Sequence, residues 1–161
     1  PTIASRLFRT GGPDLKGLCE DAYSHYSALS GQEQSVTLSL VDTDGLDRLA
    51  EVCAGLFDDY RTEISNVSMY DVQQYYRYSK RWYFDIEDIL VKSGVPDAAL
   101  ADFREALSSC VVYKAATPRF LSIDIVSFSG LSMYLPCADA NTALRNFYRG
   151  LSWNQATGLL N

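Results

Sequence analysis

The sequence predicts an α/β fold, and three observations carry that expectation. Residues 36–42 (VTLSLVD) alternate in the manner of a strand, with Val36, Leu38 and Leu40 on one side and Thr37, Ser39 and Val41 on the other. Thr43-Asp44-Gly45 then turns the chain into a long helix over about 46–63, whose Leu46, Leu49, Ala50, Cys53, Leu56, Phe57 and Tyr60 recur with the helical period. A strand that passes through a short turn into an amphipathic helix is the repeating unit of α/β folds. Later, two strand-like runs, 120–128 (FLSIDIVSF) and 131–135 (LSMYL), flank Ser129-Gly130 and predict a β-hairpin.

The remaining elements follow from punctuation and periodicity. A short helix-like patch, 3–8, is stopped by Gly11-Gly12-Pro13. Asp14 caps a helix to about Leu29 that turns Leu15, Leu18, Cys19, Ala22 and Tyr26 to one face. From Met69 the chain reads as mainly helical, through a tyrosine-heavy segment, 70–78, and a helix over 84–92 with Ile86, Ile89 and Leu90 inward. Ser93-Gly94 and Pro96 close that helix, and Asp97 caps the next, about 98–114. Pro136 stops the second strand run, and the chain finishes with a helix around 139–149 and a last segment, 152–160.

Composition sets the bounds. A chain of 161 residues, 47% hydrophobic and 21% charged, builds one domain around a true core. The net charge is −6, and the basic residues are scattered apart from Arg77 to Arg81, which Asp85, Glu87 and Asp88 follow at once. A nucleic-acid groove needs a basic face, so no nucleic-acid partner is expected. No run approaches the roughly 18 apolar residues of a membrane span, so none is expected.

The search for chemistry ends without a complete active site. Cys19, Cys53, Cys110 and Cys137 are 34, 57 and 27 residues apart, with no paired spacing for zinc or redox work. They read as buried free thiols, with one disulfide as the alternative. The sequence has one histidine, His25, on a helix flank, where nothing supplies a nucleophile and a third group to orient it. A solvated structural histidine is the simpler account. Asp85 and Asp88, three apart, would share one helix face and could hold a cation or act as paired carboxylates. A capping and surface role at a helix N-terminus explains them with fewer assumptions. Asp42 and Asp44 read first as turn and cap residues, although the carboxyl end of such a strand is where α/β folds often place function. No phosphate-cradling glycine spacing and no nucleophile elbow occurs.

Three segments together resemble the clostripain family of cysteine peptidases, relatives of gingipains, caspases and legumain. Residues 37–49 (TLSLVDTDGLDRL) are similar to the family's strand–turn–helix, T-[LM]-[ST]-A-[IV]-D-x-S-x-[LV]-D-x-L, with Leu40 for the usual Ala and Asp44 where Ser is common. Residues 82–90 (WYFDIEDIL) resemble Y-x-D-L-x-D-F, with Asp85 and Asp88 at the matching places. Residues 129–136 (SGLSMYLP) are close to S-G-L-S-[IV]-Y-[FI]-P, and the stretch from Tyr148 to Trp153 is similar to the family's ending.

The resemblance implies part of a caspase-like sheet, with 36–42 as one of its strands, a C-terminal helical bundle and a β-hairpin. It makes residues 1–161 a single C-terminal part of a larger peptidase, in which 1–66 form the strand–helix part of the sheet and 67–161 a helical subdomain. The family's catalytic cysteine lies in D-[SA]-C-x-M-x-[SA]-x-E and its histidine in an H-G motif, both upstream; neither is in this chain, and none of the four cysteines matches. No catalytic residue is therefore carried over. The acidic residue behind the family's preference for cleavage after Arg or Lys also belongs upstream.

The implied function is the C-terminal structural region of a clostripain-like cysteine endopeptidase, supporting an upstream Cys/His half. Its partners would be that half and protein substrates. Asp42 and Thr43 are candidates for the edge of the substrate cleft. No cofactor or metal site is expected from the chain's own residues, and calcium enters by the resemblance alone. So does a secreted or bacterial cell-envelope location. The rival reading is an inactive peptidase homologue or a non-catalytic α/β interaction module using 70–83 as its contact surface.

Overall fold

The computed structural model describes residues 3–75, 83–135 and 141–160. The basic stretch Arg77 to Arg81, residues 76–78 of the tyrosine segment, Trp82, Pro136, Cys137 and the expected start of the 139–149 helix fall outside these residues. A short helix α1 (Ile3–Leu7) leads to α2 (Leu15–Ser27), capped by Asp14, whose side chain accepts the Gly17 N–H. Strand β1 (Thr37–Val41) exits through a single 3-10 turn, Thr43–Gly45, into α3 (Leu46–Asp59). The strand–turn–helix unit thus stands as expected.

The long helix expected over 46–63 is broken. Tyr60 leaves helical geometry (φ −115°, ψ 25°), and α4 (Arg61–Asn66) starts afresh beyond it. Asp58 and Asp59 close α3, and two carboxylates there oppose the helix dipole, which disfavours simple continuation.

After residue 83 come β2 (Phe84–Asp85), α5 (Ile86–Lys92) and α6 (Asp97–Cys110), so the first two residues of the helix expected over 84–92 are strand. Helix α6 stops four residues before the expected Lys114, and β3 (Val111–Ala116) replaces its last turn. Val111, Val112 and Tyr113 are β-branched or aromatic and suit a pleated surface better than a helix. Strand β3 pairs antiparallel with β1, Thr37 opposite Ala116 and Leu40 opposite Tyr113, with a bulge at the Val41 end.

The predicted hairpin of 120–128 with 131–135 does not form. A tight hairpin, β4 (Arg119–Phe120) with β5 (Ile123–Asp124), takes the first few residues, and β6 (Ser132–Met133) pairs instead with β2. The cause is interception of the backbone. Gln73 Oε1 accepts the N–H groups of Val126 and Ser127, and Asp85 takes that of Ser129, so a hairpin ladder has nothing to use there. Helices α7 (Thr142–Arg149) and α8 (Ser152–Thr157) complete the described chain.

The core lies between α3, α5, α6 and the loops around them. Phe57, Phe84 and Phe103 are fully inaccessible and pack with Leu49, Ile86, Ile89, Leu90 and Leu100. Each such side chain contributes about 1.5–3 kcal/mol through burial. The β1–β3 pair separates this core from α2. Val41 and Val111 pack against the core, while Tyr113, and Leu40 opposite it, face α2 beside Cys19 and Tyr23.

Helix α2 itself is only half-covered. Gly17 is its one fully buried residue; the expected stripe of Leu15, Leu18, Cys19, Ala22 and Tyr26 stays partly exposed, with Leu15 at 42% and Tyr26 at 41%. Helix α1 buries nothing and is held by Arg6, which pairs with Asp14 and donates to both carboxylate oxygens of Asp21 (2.9 and 3.0 Å).

Candidate functional site

Thiol chemistry fails on geometry among the described residues. Cys19 and His25 both ride on α2 but six residues apart, which places them about 9 Å apart along the axis and about 120° apart around it. His25 is exposed and meets the edge of Tyr26 (centroids 5.2 Å). Cys53 is fully buried on α3, and burial pushes its thiol up to about 12. Cys110 is also buried and shifted upward by desolvation. A nucleophilic cysteine needs the opposite environment, electropositive and partly open. Cys19, Cys53 and Cys110 are free thiols, as expected, but only Cys53 and Cys110 are buried; Cys19 is half-exposed. No cluster of three metal-ligating side chains occurs among the described residues.

The exit turn of β1 is the place that α/β logic marks for function. Asp42 Oδ1 accepts the Asp44 N–H (3.1 Å), its own N–H donates to Cys110 O (2.8 Å), and both Asp42 and Thr43 are exposed. The turn sits tightly on the end of α6: a Cβ on Gly45 would lie 3.1 Å from Cys110 Cα. The capping role read from the sequence is therefore real, and the two candidate residues stand on a rigid, solvent-facing corner.

Asp85 and Asp88 do not form a cation site. Asp85 is fully inaccessible and caps α5, its Oδ1 accepting the Asp88 N–H (3.0 Å). Its Oδ2 accepts from the Tyr75 hydroxyl (2.7 Å) and the Ser129 N–H (2.6 Å). Asp88 Oδ2 accepts the Gln73 N–H (2.6 Å), and the Gln73 side chain carries on to Asp124 O, Val126 N and Ser127 N. Burial and the neighbouring Asp85 charge hold the Tyr75 hydroxyl far above the usual tyrosine range, so it stays a neutral donor.

The capping part of the expectation for these residues stands, while the surface part is corrected, since the carboxylates staple residues 124–129 onto α5 from inside. Glu87 alone of the acidic trio is turned outward, paired with Arg104 (2.7 Å). Sequence reasoning missed Gln73, Tyr75 and Ser129, whose partners lie 10 to 54 residues away along the chain.

An apolar cavity of about 290 Å³ opens beyond Leu46, floored by Ile86, Leu131, Met133 and Trp153. Tyr134 and Tyr148 stack at its side (centroids 4.1 Å, planes 2° apart). Tyr70 (76% exposed) and Tyr83 (41%) are the described ends of the contact surface proposed for an interaction module.

Comparison with protein-family models and with curated protein sequences gives no match. Solved structures do match. An inactive zymogen C11 protease from Parabacteroides distasonis superimposes with a TM-score of 0.82 at 25% identity, over 97% of this chain and 46% of that one. A clostripain from Bacteroides thetaiotaomicron in complex with a peptide inhibitor gives 0.79 at 24% identity, over 96% and 68%. A secreted C11 cysteine protease from the same species gives 0.79 at 24%, over 96% and 43%.

The chain thus has the mixed α/β, caspase-like fold of C11 (clostripain-family) cysteine proteases, as the three sequence blocks implied. It spans a little under half of the first of those chains. No helix among the described residues is long and apolar enough to cross a membrane.

Proposed function

We propose that this chain is the C-terminal structural region of a clostripain-like cysteine endopeptidase that cleaves after Arg or Lys. The catalytic cysteine and histidine would come from an upstream half. One observation carries the reading: nearly all of this chain superimposes on C11 proteases while covering only 46% of the first of them, a chain more than twice as long.

The role of that region is mechanical. It would supply the β1–β3 end of the sheet, back it with the α3–α6 core, and hold the Asp42–Thr43 corner at the margin of the substrate cleft. Protein substrates and a secreted or envelope location belong to the same proposal, as does any calcium requirement.

The test is reconstitution. This chain is produced alone, and as part of the longer polypeptide that contains it, and each is assayed with fluorogenic peptides ending in Arg, Lys or a neutral residue. Activity on the basic peptides in the longer form, and none in this chain alone, is the expected result. A longer form with the complete region and no cysteine-dependent cleavage would overturn the reading in favour of an inactive homologue.

A further inference from the structure

Helix α8 leaves two polar atoms with nothing to bond. Trp153 Nε1 and Thr157 Oγ1 are buried, and neither has a hydrogen-bond partner among the described residues. Thr157 is 3% exposed. The two residues are four apart, so their side chains share one face of α8. Buried polar side chains are nearly always paired, and an orphaned one asks for a cause.

Both residues line the apolar cavity of about 290 Å³. Its wall is assembled from distant parts of the chain, with Leu46 at the start of α3, Met133 on β6 and Tyr148 on α7 meeting α8. Other polar groups at this wall are already engaged. The Asn154 side chain donates to Arg149 O (3.3 Å) and accepts the Leu160 N–H (2.8 Å). Tyr148 is hydrogen-bonded to Tyr83, and burial together with that bond pushes its hydroxyl up to about 12, which keeps it neutral.

Size, charge and the orphaned atoms each restrict the occupant. An apolar cavity of about 150 Å³ accommodates benzene, so this one has room for about ten to twelve non-hydrogen atoms, a two-ring aromatic or its aliphatic equivalent. No Asp, Glu, Lys, Arg or His lines the cavity among the described residues, so a charged ligand would lose its hydration with nothing to offset the loss. The indole N–H can only donate, whereas the threonine hydroxyl donates or accepts, so the ligand must bring an oxygen acceptor. Water alone fits badly, because a buried water needs about two to four polar partners and this wall is mostly hydrocarbon and ring. A leucine or phenylalanine side chain reaching in from a partner protein would fill the apolar part and leave Trp153 and Thr157 unpaired.

We propose that the cavity between α8, α7 and β6 is a binding site for a compact, uncharged hydrophobe that carries one hydroxyl or carbonyl oxygen, with Trp153 and Thr157 as its polar contacts. The site lies outside the Asp42–Thr43 corner and stands whether or not the functional reading above does.

Three probes of matched shape separate the terms: 1-naphthol, naphthalene and 1-naphthoate. Each is titrated at pH 7 by calorimetry into the full polypeptide that contains this chain. Naphthol should bind at one site, about fivefold or more tighter than naphthalene, which lacks the oxygen, and about tenfold or more tighter than the charged naphthoate. Thr157→Val keeps the shape and removes a hydroxyl that has no partner to lose, so the fold is retained. It should weaken naphthol about fivefold and leave naphthalene unchanged. Leu151→Trp, at a partly exposed position on the cavity wall, should weaken both neutral probes alike.

No binding of naphthol would mean that water or a segment of protein fills the space, and would overturn the proposal. Equal affinity for naphthol and naphthalene would remove the role of the two polar atoms and overturn it as well. Naphthoate binding tightest would overturn the uncharged class. Naphthol binding that neither substitution changes lies elsewhere on the molecule, and the cavity assignment falls. If Leu151→Trp does not fold, the Thr157→Val comparison decides.

Discussion

Replacing Asp85 by Ala removes the carboxylate on which three separate segments converge. The side chain caps α5 through the Asp88 N–H, holds residue 129 through its N–H, and accepts the Tyr75 hydroxyl, all from a fully inaccessible position. Loss of a helix N-cap costs about 1 kcal/mol. The Ser129 N–H, left buried without a partner, adds about 1–3 kcal/mol. The Tyr75 hydroxyl keeps Ser127 O as an acceptor (3.1 Å) and adds less. Relief from burying a charge offsets part of the sum, so the net loss is about 3 kcal/mol. Asp85→Asn keeps the shape and one acceptor oxygen but sets an amide N–H₂ against a donor, and should lose about 1–2 kcal/mol. Urea unfolding followed by circular dichroism, with the midpoint read at constant slope, measures both. A loss below about 1 kcal/mol for Asp85→Ala would show that the network is not structural, and the account of why the hairpin is displaced would fall with it.

The other outcomes follow from local geometry. Iodoacetamide at pH 8, with peptide mapping, should label the partly exposed Cys19 well before Cys53, whose thiol is pushed up to about 12 by burial. Gly130→Ala should lower stability by about 2 kcal/mol or more, because a Cβ there meets Val111 Cγ1 at 2.7 Å on a backbone with φ 93°. Gly94→Ala, with φ 80° and open space around it, should cost about 1 kcal/mol, and thermal melts compare the two. Arg6→Ala should release α1 to proteases while leaving the core melting transition in place, since α1 buries nothing. Hydrogen bonds, from Gly17 N–H to Asp14 and from Arg6 to Asp21, lower both carboxyls, so their contribution to α1 docking is present above the ordinary carboxylate range and lost as pH falls below about 4. Limited proteolysis across that range reads it.

The strand–turn–helix of residues 37–59 was legible because its signals are local: two-residue alternation, a glycine turn, then a helical stripe. Helix α6 was legible at its start to within a residue, although Pro96 takes the N-cap position expected of Asp97, and misread at its end, where Val111 to Tyr113 fit either state by pattern alone and pairing with β1 decides. The hairpin was misread for a different reason. Residues 126–129 look like strand, but their backbone donors are claimed by Gln73 and Asp85, more than forty residues earlier. Side-chain claims of that range leave no periodicity to detect. The half-covered state of α2 was not legible, because an apolar stripe does not say how much of it finds a cover.

The pairing of β1 with β3 has a consequence for synthesis. Val41 and Val111 are partners at opposite ends of a 69-residue excursion, so β1 leaves the ribosome long before its neighbour exists. At about 5–20 residues per second that interval lasts roughly 3–14 s. Throughout it the uncharged segment TLSLV has neither edge satisfied, the condition in which a strand is most open to pairing with another chain.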